Sequence, residues 1–378
     1  MNPIPLCEPN LAGNEWTYVK ESLDSNWLSG GSYLRDFEKS ICDYTGAAYA
    51  IGVSSGTSAL HMALVVHKVE KNDLVIVPNL TFVATANAVT YVGAEPLVID
   101  IDSKTWLLDL DVLEAFLTTQ TYQKDNNCYY LKSGQRIKAI VLVHLLGNMP
   151  DMERLVALTQ SHNIALIEDA AGSLGSFYKG KHAGTFGSVG TISFNSNKII
   201  TTAGGGMVIT NDAFIAQQVK HLITQAKKGT LEYLHDQIGY NYRLVNPLAA
   251  IGLAQMEYLH SFVNKKQEIA AYYTQELASI PELGFQTITS GVTSNYWHFV
   301  ITVPHSRKLI QYLADSQIET RPLWIPIQEL PAFKDSLYIS ENHTTAEVAS
   351  KGVMLPCSTS ITSEQLAFVV EKIKSFYL

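Results

Sequence analysis

Short apolar, β-branched runs alternate with helical patterns through the first two-thirds of the chain. That alternation points to βαβ units and a mainly parallel sheet. The strand-like runs span 48–53, 74–77, 95–100, 137–144, 164–168, 189–194 and 206–210, and helical patterns over 57–68, 84–91 and 152–162 lie between them. AIVLVHL and IALIE are apolar without a break, as strands covered on both faces are. An α/β fold with helices on both sides of the sheet is the expectation.

After the last of these strands the pattern changes. Residues 246–259 read as a helix with Pro247 in its first turn, followed by a longer charged helix over 261–277. The remainder, with a strand-like 296–303 and helical 306–317 and 363–375, suggests a compact α+β unit. A chain of 378 residues has room for both. The division is expected at 1–255 for a large domain with an N-terminal arm and 256–378 for a small C-terminal domain.

Composition removes other classes. Hydrophobic residues make up 47% and charged ones 16%, too apolar for a disordered chain. The net charge is −8 and no basic run exceeds a pair, which argues against a nucleic-acid scaffold. The most apolar stretch, 139–147, is too short to cross a bilayer. The start lacks a basic segment followed by an apolar one, and Cys7, Cys42, Cys128 and Cys357 are scattered without a CxxC pair. A cytoplasmic protein is the expectation.

Three segments have the residues for chemistry. Ser54-Ser55-Gly56-Thr57-Ser58 follows a strand and opens a helix, where free amides and the positive dipole end can seat a phosphate. Taken alone, the segment is better explained as a plain N-cap. The strand 164–168 ends on adjacent carboxylates, Glu168 and Asp169, at the sheet end where α/β proteins hold ligands. A carboxylate there can keep a proton on a cofactor's ring nitrogen, and small Ala171 lets a flat ring approach. Lys198 lies between a strand and the glycines 204–206, a placement that suits a Schiff-base nucleophile. The three together outweigh the bland reading of each.

Other matches are set aside. Residues 175–182, GSFYKGKH, spell GxxxxGK but end in His, so no hydroxyl follows for magnesium. No GxGxxG opens a helix, and no metal is expected because no clustered Cys/His set occurs in the sequence. His144 reads as a satisfied core histidine. Trp297-His298 and 321–324 read as packing of the small domain.

The ordered set SSGTSAL (54–60), NLTFVATANAV (79–89), VHLLGN (143–148), IEDAAGSLG (167–175), SFNSNKIITTAGGGMV (193–208) and GYNYRLVNPLAAIGLAQMEYL (239–259) resembles the DegT/DnrJ/EryC1/StrS nucleotide-sugar aminotransferases. The resemblance implies the fold type I architecture of enzymes dependent on pyridoxal 5′-phosphate (PLP), acting as homodimers with shared sites. By matched position Lys198 resembles the lysine that binds PLP covalently, and Asp169 the aspartate paired with the pyridinium nitrogen. Phe82 and Ala171 resemble the pair that sandwiches the ring, Thr57, Ser58 and Ser193 the phosphate ligands, and Asn241 an asparagine reaching the partner's phosphate. Arg243 and Trp324 are candidate substrate contacts.

The implied reaction moves an amino group from L-glutamate to C4 of a keto-sugar nucleotide, with pyridoxamine phosphate as the intermediate form of the cofactor. The opening residues, 222–229 and 321–331 resemble the enzymes aminating UDP-linked 4-keto-6-deoxy-N-acetylhexosamines for legionaminic acid and bacillosamine in bacterial surface glycans. A GDP- or dTDP-linked ketosugar is the alternative, and a non-catalytic sugar-nucleotide-binding protein the reading from another class. Gly172 departs from the family pattern, which carries Glu, Gln or His there.

Overall fold

The computed structural model describes residues 3–229 and 231–377. Its strands are β1 (Tyr49–Val53), β2 (Leu74–Pro78), β3 (Glu95–Ile99), β4 (Arg136–Val143), β5 (Ala165–Asp169), β6 (Val189–Ser193), β7 (Gly206–Thr210), β8 (Phe299–Thr302), β9 (Leu337–Ile339) and β10 (Gly352–Leu355), besides shorter ones. The large sheet has the order β1-β7-β6-β5-β4-β2-β3-β9. It is parallel from β6 to β9, whereas β7 runs antiparallel to both β6 and β1. This is the mainly parallel α/β sheet expected from the sequence.

The apolar runs become strands because both sheet faces are covered. Val75, Val77, Val141 and Ile167 feed one core layer; Ile76, Ile140 and Leu142 feed the other, and all are fully buried. Each such side chain contributes roughly 1.5–3 kcal/mol by leaving water. Helix α1 (Gly56–Val66) lies on the first layer, and eight of its eleven residues are buried.

Register brings the three chemical segments together. Asp169 at the end of β5 pairs with Val143 on one side and Thr191 on the other. Ser193 pairs with Gly206, and Gly206 with Val53. The segments after β1, β5 and β6 therefore leave the sheet at one edge, where open α/β sheets bind ligands. Two glycines permit this crowding. A Cβ on Gly56 would stand 2.8 Å from that of Ser193, and one on Gly206 would stand 2.5 Å from the Ser55 carbonyl.

The C-terminal part builds a four-stranded antiparallel sheet from Gly284–Phe285, β8, β10 and Arg321–Pro322, packed on helix α2 (Leu259–Leu277) and helices Ser306–Asp315 and Ser363–Tyr377. Two segments cross the expected division at 255/256. The N-terminal arm bridges Ile4 to Ile318, and β9 returns to the large sheet beside β3. Neither is written in local periodicity, because both are settled by contacts some 240–310 positions away in sequence.

Candidate active site

Above the sheet edge lies a cavity of about 340 Å³ whose wall includes Thr57, Phe82, Asp169, Ala171, Ser193 and Lys198. Six of the positions expected from sequence thus meet in one space, and Trp324 joins them from the C-terminal part.

Helix α1 forms one end. The Ser55 hydroxyl accepts from the Ser58 amide at 3.0 Å, while the Ser58 hydroxyl accepts from the Ser55 amide at 2.9 Å. This capping box occupies Ser58, which is buried and turned into the helix start, so the wall is formed by Ser55, Gly56 and Thr57 instead. The amides of Gly56 and Thr57 remain as first-turn donors facing an anion seat.

Adjacent positions on a strand face opposite ways, and β5 uses both. Glu168 turns into the protein. Its carboxylate accepts from His144 Nε2 at 2.7 Å, Gly184 N at 2.9 Å, and Phe186 N and Gly187 N at 2.6 Å each. Burial pushes its pKa up, but His144 and these amides outweigh burial and hold it below the usual value. Asp169 turns to the cavity. Among the described residues, the Thr85 hydroxyl (2.8 Å) and the Ala171 amide (3.1 Å) are its side-chain carboxylate's donors. Burial wins there and raises its pKa, despite Thr85, Ala171 and the nearby Lys198.

Lys198 reaches the cavity from the turn after β6, with its Nζ 3.4 Å from the centroid of the Trp297 ring. Burial of the ammonium lowers its pKa to about 8, against the pull of Asp169. Trp297 donates from Nε1 to the carbonyl of Asn197 at 2.6 Å and stacks on Trp324, with centroids 6.2 Å apart. Both indoles line the cavity, which for Trp297 corrects its reading as small-domain packing. Its spacing from the lysine by about 100 residues hid it. Gly172 finds its reason here: a Cβ at 172 would stand 2.3 Å from Trp297 Cε3. His144 is also more than a core histidine. It lines the cavity, and its buried Nδ1 has no hydrogen-bond partner.

Asn241 and Arg243 are not brought to this wall. Asn241 is exposed and bridges Thr224, while Arg243 lines a separate cleft with Trp27, Arg35 and the glycines 30–31.

Residues 9–374 match the family described as the DegT/DnrJ/EryC1/StrS aminotransferase family. The chain belongs to that family. It is 39% identical over 382 residues to GDP-perosamine synthase of Escherichia coli O157:H7, covering 100% of this chain and 99% of that one. It is 35% identical to GDP-perosamine synthase of Caulobacter vibrioides, covering 97% and 96%. Among solved structures it resembles DesV of S. venezuelae in complex with a ketimine intermediate, with a TM-score of 0.89 and 26% identity over 100% of this chain and 99% of that one. Like its family, the protein is a PLP-dependent nucleotide-sugar aminotransferase.

The cavity fits that cofactor. The anion seat at α1, the buried Asp169 carboxylate, the His144 Nδ1 without a partner among the described residues and the amine of Lys198 match a phosphate, a ring nitrogen, a ring substituent and an aldehyde in turn.

Proposed function

We propose that this aminotransferase moves the amino group of L-glutamate to the C4 ketone of a GDP-linked 4-keto-6-deoxyhexose. The nucleotide in the names of the E. coli and Caulobacter relatives supports GDP, and it turns the substrate reading away from the UDP-linked N-acetylhexosamine expected from sequence. For the chemistry the carrying observation is Lys198, whose amine shares one cavity with Asp169 and the start of α1.

Bound PLP supplies a conjugated ring that takes up the electron pair left on the substrate carbon when its proton departs. The chain's residues do the rest. Lys198 anchors the cofactor and, once released, carries the proton as base and then acid. With a pKa of about 8 it is far more often the free amine at neutral pH than an ordinary lysine. Asp169 keeps the ring nitrogen protonated, and Thr85 and Ala171 fix its orientation. Phe82 and Ala171 hold the two ring faces. Thr57 and Ser193, with Ser55 and the first amides of α1, hold the phosphate, while Ser58 supports them through the cap.

We assign the missing side of the site to a second copy. Leu231, Tyr233 and Ile238 are 92%, 87% and 84% exposed, an apolar surface that a homodimer partner covers. Asn241 and Arg243 follow directly, and in the dimer they serve the partner's phosphate and substrate. Among the described residues no helix is long and apolar enough to cross a membrane. We place the enzyme in the cytoplasm with its soluble substrates.

The test is glutamate-dependent amination of GDP-, UDP- and dTDP-linked 4-keto-6-deoxy sugars by the purified protein. The expected result is at least a tenfold preference in kcat/KM for the GDP sugar. A UDP sugar turned over equally well overturns the substrate assignment, and no amination of any of the three overturns the function.

A further inference from the structure

Beneath the active site, where the N-terminal arm meets the small domain, four reactive side chains converge. Cys7, His298 and Cys357 place their ligating atoms within 4.8 Å of one another. Lys266 of α2, 2% exposed, donates to Cys357 Sγ at 3.4 Å, to Cys7 Sγ at 3.7 Å and to the Trp297 carbonyl at 2.9 Å. His298 Nδ1 lies 3.7 Å from Cys357 Sγ.

The charges narrow what this cluster can be. A buried ammonium needs a counter-charge, and among the described residues no carboxylate pairs with Lys266. The two sulfurs are the acidic groups to which its ammonium donates. Burial works against the Lys266 charge, yet the two sulfurs outweigh it and raise its pKa. Cys357 is correspondingly held well below the ordinary thiol range, by hydrogen bonding from Cys7 and by Lys266, while Cys7 is pushed up. The pair therefore shares one proton and one negative charge. The ammonium beside both sulfurs also opposes a metal cation.

Geometry supplies reach and access. The Cys357 amide donates to the Leu6 carbonyl at 2.8 Å, so the two cysteines sit on hydrogen-bonded backbones. Cys7 and His298 open onto a second cavity, of about 570 Å³, bounded by Phe82, Arg321 and Trp324. A small oxidant can reach Cys7 there, while Cys357 lies buried behind it.

We propose that Cys7 and Cys357 are a redox modification site that hydrogen peroxide converts to a reversible disulfide, tying the N-terminal arm to the small domain. Cys7, the sulfur at the cavity, passes its proton to Cys357 and attacks one peroxide oxygen; the O–O bond breaks, and Cys7 becomes a sulfenic acid. The second sulfur attacks the sulfenic sulfur, the S–O bond breaks and the disulfide forms. The sulfurs lose two electrons and the peroxide gains them. The remaining thiol proton and one proton from Lys266 complete two water molecules, leaving Lys266 a neutral amine in a cluster that has lost its negative charge. Because Cys7 Sγ lies 3.5 Å from the Asn197 carbonyl, next to Lys198, the bond also withdraws a contact from the turn carrying that lysine.

The test treats the holoenzyme with hydrogen peroxide, unfolds it, alkylates free thiols and maps the peptides. The expected result is loss of two of the four thiols, a linked peptide pair carrying Cys7 and Cys357, and full recovery with dithiothreitol. Cys42 and Cys128 stay alkylatable. In Cys357→Ser the link disappears and a sulfenic acid at Cys7 becomes trappable by dimedone. Four free thiols after peroxide, or a link through Cys42 or Cys128, overturns the proposal. So does stoichiometric zinc on the purified protein that blocks oxidation, which would make the cluster a metal site. Thiol count and peptide mapping need no sugar substrate, so this result stands apart from the assignment of GDP.

Discussion

Glu168 and Asp169 are the same chemical group on consecutive residues, and the pleat of one strand gives them opposite work. Glu168 has four donors and holds its charge for the sake of the fold. Asp169 has two donors and a charge that burial disfavours until a cation arrives. A carboxylate left under-satisfied beside a cavity is thus the mark of a binding group, and a fully satisfied one the mark of a structural group.

Substitutions can break this contrast. The largest effect falls on the residue facing Asp169: Lys198→Ala should abolish turnover and the visible absorbance of bound PLP, read by spectrum and assay, while the melting temperature of the cofactor-free protein stays near wild type. Asp169→Asn should fold normally and lose several kcal/mol of transition-state stabilisation, roughly hundreds-fold in rate, since each 1.36 kcal/mol is tenfold. Near-normal turnover would remove it from the role of ring partner. Glu168→Ala should do the reverse. Leaving His144 and three amides unpaired costs about 3–5 kcal/mol in denaturant unfolding, with kcat of the folded fraction much less affected than in Asp169→Asn.

A smaller effect, in pH, sharpens the same contrast, because the two carboxylates shift in opposite directions. Glu168 has a lowered folded pKa, so its contribution to stability is present above the unfolded carboxylate value and is lost as pH falls through the folded one. Asp169 has a raised folded pKa, so in the cofactor-free protein its charge costs stability at neutral pH, and that cost is relieved as pH falls through the raised value. Melting curves of the cofactor-free wild type, Glu168→Gln and Asp169→Asn from neutral to acid pH should show the difference between wild type and variant shrinking on acidification with opposite sign in the two cases. Reconstitution with PLP should accelerate as pH rises through about 8, where the Lys198 amine loses its proton.

The sequence revealed the sheet and the cofactor wall unevenly, for physical reasons. Strands such as β4 and β7 were legible because burial on both faces leaves an apolar run no other element requires. Thr57, Asp169 and Lys198 were legible because each lies at or shortly past the end of a strand, and parallel register carries strand ends to one edge. Ser58 was misplaced because a serine at a helix start can face the ligand or the cap, and only the side-chain geometry decides. Trp324 was legible only through the family resemblance, and Trp297 was not legible as part of this wall, since a contact 100 positions along the chain brings it to Asn197. The same holds for the edge strand β9, three residues long and meaningful only beside β3.

Gly172 and Trp297 compete for one volume, and the indole has taken it. Any bulkier residue at 172 evicts the ring and drags along the stretch 294–298 that tethers it through Asn295 to the carbonyls of Gly172 and Leu174. The two positions are therefore free to change only as a couple, and engineering the ceiling of this site one residue at a time will meet resistance there first.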